Sequence, residues 1–147
     1  MSEHDLINEL ITTYRNLNNK VRTLPEERLT MTDKAGNSVR QAVTNLRNGE
    51  MHFSQALKEA ISGVPMPDMG TGDTPVIGTE SESDTTATII SQFGTAREST
   101  LAMLRTLPSD EWNKTIEGGA SIRKRLEEHL GRDRQTMEQI VGLLGSP

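Results

Sequence analysis

The chain has 147 residues, a formal net charge of −5 and no cysteine, which excludes disulfides, thiolate metal sites and cysteine nucleophiles. Charges of both signs are mixed along the chain without a basic run or interleaved aromatic and basic residues, so we expect no nucleic-acid partner. No apolar run approaches the roughly 20 residues of a membrane span, and the acidic N-terminus lacks a signal-peptide pattern, so we expect no membrane partner and a cytoplasmic location.

The chain is poor in apolar residues for a globular protein. Hydrophobic residues make up 33% of it, with one Trp, one Tyr and two Phe. A domain of long helices tolerates this composition, because a narrow apolar stripe on each helix still builds a shared core. Association of two copies would also cover apolar surface that a monomer leaves exposed. We therefore predict a single domain over residues 1–147 that forms a homodimer.

Apolar residues spaced by three and four positions predict four long helices. Their predicted bounds are roughly residues 3–24, 38–62, 85–107 and 121–145. Pro25 ends the first helix, and Ser38 is a good N-cap for the second. The predicted crossover, residues 63–84, holds three prolines and four glycines. A connection of this length is typical of a mobile crossover in a helix bundle, and the alternative is a lid over a groove.

An internal repeat divides the chain into two halves. Arg-Thr-Leu-Pro at 22–25 returns 83 positions later at 105–108, and Ser-Val-Arg at 38–40 returns as Ser-Ile-Arg at 121–123. The turns between these motifs, residues 26–37 and 109–120, carry Leu29 and Trp112 at matching positions. We predict that both side chains pack against the ends of the bundle.

The repeated motifs are similar to those of the DinB-like (YfiT-like) superfamily of four-helix bundles. The similar segments are Leu-Pro-Glu-Glu at 24–27, Ser-Val-Arg at 38–40, Leu-Pro-Ser-Asp-Glu-Trp at 107–112, Ser-Ile-Arg at 121–123, and Asp-Arg at 133–134 followed by Glu-Gln-Ile at 138–140. The resemblance covers nearly the whole chain. It implies an all-α four-helix bundle of DinB-like topology with a long crossover between its second and third helices.

The same resemblance implies a metal site. Active members hold a divalent metal, such as zinc or nickel, through one histidine in the second helix and two in the fourth, which leaves an open coordination position. The matching positions here are Asn45, Arg132 and Thr136. An amide and a hydroxyl are weak ligands, and a guanidinium cannot be deprotonated to bind a metal. We therefore predict a degenerate site with no resident metal, no cofactor and no catalytic residue.

A relocated metal site is the alternative. His129 and Asp133 are four positions apart on the fourth helix, and His52 lies seven positions after Asn45. Two helical turns are about 10 Å of rise, which makes joint coordination by His52, His129 and Asp133 awkward. The favoured interpretation is that the histidines are solvent-exposed or cap helices.

Three charged residues are predicted to point inward. On a helical wheel, Glu50, Arg97 and Asp133 lie within the apolar stripes of the second, third and fourth helices. Because an unpaired charge in a core costs several kcal/mol, we predict that Arg97 bridges Glu50, Asp133 or both. The favoured role is a buried ion network that fixes helix register, and the alternative is the polar floor of a ligand groove. The same wheel places Asn45, Arg132 and Thr136 at the margin of a cleft.

Three functions stay open at this point. The leading hypothesis is a non-enzymatic binding or interaction module of unknown partner. The second is a metal-dependent, thiol-linked transferase or hydrolase with relocated ligands. The third is a binder of an unknown small molecule in a groove lined by Asn45, Arg97 and Arg132.

Overall fold

The computed structural model describes residues 2–63, 84–116 and 119–145. This part of the chain holds five α-helices and no strand, so the predicted all-α class is confirmed. The helices are α1 (Glu3–Val21), α2 (Glu26–Thr30), α3 (Val39–Ser62), α4 (Thr86–Thr106) and α5 (Ile122–Gly145). A 3-10 helix covers Ser109–Asn113, and an isolated antiparallel bridge joins Thr115 to Ser121. The predicted crossover lies outside the described residues, apart from Gly63 and Asp84 at its ends.

Side-chain caps explain where the long helices begin. Ser2 and Asp5 form a capping box at the start of α1, in which each side chain bonds the other residue's backbone N–H. Ser38 accepts a hydrogen bond from the Gln41 backbone N–H at the start of α3, and Thr85 serves α4 in the same way. These residues satisfy backbone donors that a helix leaves without partners at its first turn.

The first helix ends earlier than predicted, at Val21 and not at residue 24. The Leu24 backbone N–H bonds the Val21 carbonyl, which is a tighter, three-residue turn. The ring of Pro25 also disfavours helical geometry at the residue before it. The final apolar residue of the stripe, Leu24, therefore belongs to the turn.

Both turns of the repeat contain a short helix that the sequence analysis did not predict. The first turn holds α2 and the second holds the 3-10 helix. Leu29 of α2 and Trp112 of the 3-10 helix are both buried, in different apolar clusters. The indole N–H of Trp112 donates to the Leu107 carbonyl, at 3.3 Å. The matched positions in the repeat therefore fill two separate parts of the core.

The four long helices pack so that each contacts two others. Helix α1 packs against α4 and α5, and α3 packs against the same two helices. Their apolar side chains, together with those of the two turns, form two clusters, one around Leu57, Trp112 and Leu126 and the other around Val43, Phe93 and Ile140. No helix in the described part of the chain is long and apolar enough to cross a membrane.

Candidate functional site

A layer of buried polar and charged side chains separates the two apolar clusters. It consists of Glu50, Arg97, His129 and Asp133, and we call it the polar layer. Glu50 lies in α3 between Leu46 of one cluster and Phe53 of the other. All four side chains are buried, with exposed fractions of 0% for Glu50, 1% for Arg97, 4% for His129 and 3% for Asp133.

Arg97 is the centre of this layer. Its Nη2 donates to Glu50 Oε1 at 2.8 Å and to Asp133 Oδ2 at 2.6 Å. Its Nη1 donates to the backbone carbonyl of Leu10 at 2.8 Å. The guanidinium carbon also lies 4.9 Å from the centre of the Phe93 ring, within the range of a cation–π contact. The structure thus brings together the three residues that the helical wheel placed inward.

His129 is the fourth member, and its predicted solvent-exposed or capping role is wrong. Its Nε2 lies 2.7 Å from Glu50 Oε1, and its ring stacks on Phe53 with centroids 4.6 Å apart. The sequence analysis missed this contact because Glu50 reaches His129 from another helix. His52, by contrast, is exposed.

Burial and the neighbouring charges of the polar layer shift the pKa values of Glu50, Asp133 and Arg97. Burial alone raises the pKa of Glu50, but the hydrogen bond from His129 and the charge of Arg97 outweigh it and lower that pKa to about 2. Burial raises the pKa of Asp133 above its ordinary value, against the opposing charge of Arg97. Burial lowers the pKa of Arg97, and the charges of Glu50 and Asp133 reverse this and raise it. Glu50 is therefore a carboxylate at neutral pH, so the Nε2–H of His129 is the donor in their hydrogen bond.

A pocket of about 480 Å³ lies between α3 and α5, beside the polar layer. We call it the α3–α5 pocket. Its apolar lining comes from Leu46, Phe53, Ala56 and Ile116. Its polar lining comes from Asn45, His52, Arg125, His129, Arg132, Asp133, Gln135 and Thr136. His129 and Asp133 thus belong to both the polar layer and the pocket wall.

The three positions that the DinB-like resemblance aligns with metal ligands, Asn45, Arg132 and Thr136, all line this pocket. Asn45 and Arg132 are exposed and Thr136 is half-buried. These side chains do not fit a metal, because together they offer an amide, a guanidinium and a hydroxyl. Arg97, predicted to line the same groove, does not line the α3–α5 pocket but a second cavity of about 500 Å³ bounded by residues of α1 and α4. The pocket takes its second guanidinium from Arg125 instead.

One group of side chains in the described part of the chain has the composition of a metal site. Ligand atoms of Glu50, His129 and Asp133 lie within 4.8 Å of one another, and His52 is not a member. Arg97 Nη2 lies within hydrogen-bonding distance of both carboxylates. The guanidinium therefore already supplies the positive charge that a metal ion would bring to this position.

Three polar residues of this region escaped the sequence analysis. Arg125 and Gln135 line the pocket, and Arg47 is buried and donates to Gln92 Oε1 at 2.7 Å. The helical spacing held a signal for Arg47, which follows Val43 by four positions and precedes Glu50 by three. No comparable signal distinguishes Arg125 or Gln135 from solvent-facing residues, because the pocket depends on how α3 and α5 pack.

No family model, curated protein or solved structure matches the chain. The function of the pocket is therefore inferred from its own residues.

Proposed function

We propose that this protein is a DinB-like four-helix bundle without the family's metal triad, and that it binds a small organic molecule in the α3–α5 pocket without catalysing a reaction. The observation that carries the proposal is the convergence of polar side chains on an apolar concave wall. A volume of about 480 Å³ falls within the roughly 300–1,000 Å³ of small-molecule sites, which combine apolar walls with a few placed polar groups.

Two observations support DinB-like topology. Each long helix packs against two others, as expected for a four-helix bundle. The two turns of the repeat each hold a short helix with one buried apolar side chain, Leu29 in the first and Trp112 in the second. These are the segments that carry the resemblance.

The side chains at the former metal positions suit recognition by hydrogen bonding. Arg132 is a permanent cation with a planar set of donors, the Asn45 amide both donates and accepts, and the Thr136 hydroxyl does the same. Phe53 and Ala56 offer apolar surface to the body of a ligand. A pocket with these groups binds a molecule that has one polar end and one apolar end.

The metal-dependent transferase or hydrolase is the second candidate, and the group of Glu50, His129 and Asp133 favours it. Against it stands Arg97, which is bonded to both carboxylates and would have to leave. Metal analysis of protein purified without a histidine tag separates the two candidates. Near-stoichiometric zinc, nickel or iron that disappears in a His129→Gln variant would favour the enzyme.

The predicted homodimer stays a prediction. Among the described residues, the large hydrophobic side chains that are exposed are Met31, at 60%, and Val141, at 48%. Dimer interfaces usually have a more apolar centre than two separate side chains provide. Light scattering on the purified protein gives the oligomeric state directly.

Blocking the pocket tests the proposed function. Gly49 lines the pocket, and a Cβ added there meets no atom within 4 Å. Gly49→Leu should therefore fold, and its side chain should occupy ligand space. Gly131→Leu is the matched control, because Gly131 also lies in a long helix with open space around an added Cβ but does not line the pocket.

The measurement is a thermal-shift screen of anionic, neutral and cationic small molecules. A ligand at about 100 times its Kd stabilises the folded state by about 2.7 kcal/mol. We expect some compounds to raise the Tm of the wild type and of Gly131→Leu, and the same compounds to leave the Tm of Gly49→Leu unchanged. The proposal fails if no compound raises the Tm of the wild type, or if Gly49→Leu responds as the wild type does.

A further inference from the structure

The two helices that form the α3–α5 pocket correspond to each other in the internal repeat. Three pairs of corresponding residues line the pocket, namely Leu46 with His129, Gly49 with Arg132, and Phe53 with Thr136. In each pair, α3 supplies an apolar residue or a glycine and α5 supplies a polar residue. At these positions, a ligand therefore has its apolar contacts on α3 and its polar partners on α5.

Asp133 of α5 presents a carboxylate oxygen to the pocket. The residue is 3% exposed, and its Oδ2 accepts the hydrogen bond from Arg97 Nη2. Its other oxygen, Oδ1, forms no hydrogen bond with a described residue and is not among the buried atoms that lack a partner. Oδ1 is therefore accessible, and the pocket that Asp133 lines is where a ligand reaches it. Because a carboxylate oxygen only accepts hydrogen bonds, the ligand group at this point must be a donor.

Arg97 gives Asp133 only a share of its positive charge. Its Nη2 bonds both Asp133 Oδ2 and Glu50 Oε1, so one guanidinium serves two carboxylates. The Nε2–H of His129 is directed to Glu50 and not to Asp133. A cationic donor at Oδ1 would give Asp133 a partner of its own, and hydrogen bonds between ionised groups are stronger than those between neutral groups. An ammonium group has both the charge and the N–H donors for this position.

Arg132, the neighbour of Asp133 in the sequence, offers the opposite chemistry. Its exposed side chain lines the pocket and forms no ion pair or hydrogen bond with a described residue. The other guanidinium of the wall, Arg125, has Glu128 Oε1 at 3.8 Å from its Nε. A guanidinium only donates hydrogen bonds, and its planar fork matches a carboxylate that accepts two of them. A purely cationic ligand would be repelled by Arg132 and a purely anionic one by Asp133, whereas a ligand with both charges has a partner for each.

We propose that the α3–α5 pocket binds a small zwitterion of the amino-acid type. Its ammonium group donates to Asp133 Oδ1, and its carboxylate accepts hydrogen bonds from Arg132. Its apolar side chain lies against Phe53 and Ala56 of α3. A pocket of about 480 Å³ accommodates drug-sized ligands and so has room for an aromatic amino acid. This inference rests on the proposed function, since it names the class of ligand that the same pocket binds.

Calorimetric titration at neutral pH tests the need for both charges. The probes are L-leucine, L-phenylalanine and L-tryptophan, each compared with the amine that lacks its carboxylate and the acid that lacks its ammonium group. For L-phenylalanine these are phenethylamine and phenylpropionate. We expect at least one amino acid to bind about tenfold or more tightly than both its matching amine and its matching acid, the usual effect of a hydrogen bond to a charged group. EDTA should leave this Kd unchanged, because no metal ion takes part in either contact.

Two variants assign the two contacts. Asp133→Asn keeps an acceptor for Arg97, which retains its second carboxylate, so the variant should fold. The amino acid should then bind no more tightly than its matching acid does. In Arg132→Gln, which changes an exposed side chain, the amino acid should bind no more tightly than its matching amine does. Glu127→Gln and Lys124→Gln are the matched controls, because they remove exposed charges of α5 outside the pocket and should retain the wild-type Kd values.

The outcomes separate this inference from the proposed function. If other compounds bind in a manner that Gly49→Leu abolishes and no amino acid binds, the pocket function stands and the zwitterion inference is overturned. It is also overturned if the matching amine or acid binds as tightly as the amino acid, or if EDTA abolishes binding. The same holds if Asp133→Asn and Arg132→Gln lose no more affinity than the two control variants. If nothing binds in the pocket, both proposals fall.

Discussion

Replacing Arg97 with methionine tests the energetic role of the polar layer. The variant would leave Glu50 and Asp133 as two buried carboxylates without a cation and the Leu10 carbonyl without its donor. Removing one partner of a buried ion pair costs about 3–5 kcal/mol. Leaving a buried carbonyl without its hydrogen bond costs a further ~1–3 kcal/mol. Methionine is an apolar side chain of similar length, although it loses the cation–π contact with Phe93. At pH 7 we therefore expect Arg97→Met to lose at least about 3–5 kcal/mol of unfolding free energy, mainly because the buried charges lose their partner.

The pH dependence of this loss has a definite sign. In the wild type, the pKa of Glu50 is lowered to about 2, so its contribution is fully present above the unfolded pKa and is lost as the pH falls towards 2. Without Arg97, only His129 opposes the effect of burial on Glu50, and the pKa of Asp133, which burial already raises against the charge of Arg97, should rise further. The folded variant then binds more protons than its unfolded chain, so protonation of these carboxyl groups increases its free energy of unfolding as the pH falls. The stability difference between wild type and variant should therefore narrow between pH 7 and pH 4.5.

Urea unfolding followed by circular dichroism at pH 7 and pH 4.5 measures these differences. Domains have only about 5–15 kcal/mol of stability, so a second variant guards against loss of folding. Combining Arg97→Met with Glu50→Gln and Asp133→Asn removes all three charges and should recover most of the lost stability, because no uncompensated charge stays buried.

Arg105→Met is the matched control. Arg105 lies on the same helix, and its pair with Glu98 is exposed, with 4.0 Å between Nη1 and Oε2. Such surface pairs contribute at most about 1 kcal/mol. The reasoning is refuted if Arg97→Met costs no more than Arg105→Met at pH 7, or if the triple variant is no more stable than Arg97→Met.

Two further predictions concern a glycine and an acid. A Cβ on Gly94 would lie 2.6 Å from Tyr14 Oη, so Gly94→Ala should lower the free energy of unfolding by about 1–3 kcal/mol, although alanine has the better helix propensity. An added Cβ on Gly131 has open space around it, so Gly131→Ala should raise the free energy of unfolding by up to about 1 kcal/mol. Equal Tm values for the two variants would contradict this. Because the Glu50 pKa falls from 4.5 to about 2, the wild type should lose on the order of 3 kcal/mol between pH 4.5 and pH 2. The same acid titration of Glu50→Gln should be flatter, and parallel curves would show that Glu50 is not the group responsible.

The long helices could be predicted because their apolar stripes and caps agree. The predicted bounds of the second helix, 38–62, differ from those of α3 by one residue, since Ser38 is the cap and Gly63 takes a left-handed conformation. The end of α1 was missed because the apolar stripe continues to Leu24 while the backbone has already turned. Helix α2 was missed because five residues are too few to show a periodic pattern.

The inward direction of Glu50, Arg97 and Asp133 followed from helical spacing alone. The place of His129 beside Glu50 did not, because a contact between helices depends on their relative rotation and depth. The pocket likewise includes Arg125 and leaves out Arg97 for reasons of packing between α3 and α5. The spacing of residues along one helix predicts which face of that helix is buried, whereas the contacts between side chains of different helices depend on how the helices pack.

Each of the four long helices contributes one group to the bonds made by Arg97. Leu10 belongs to α1, Glu50 to α3, Arg97 to α4 and Asp133 to α5. A partly folded chain that lacks any one of these helices keeps a charged or polar group buried without its partner, or must expose the layer to water. Partly assembled states are therefore unfavourable compared with both the folded and the unfolded chain. The polar layer thus makes folding cooperative across segments that lie far apart in the sequence.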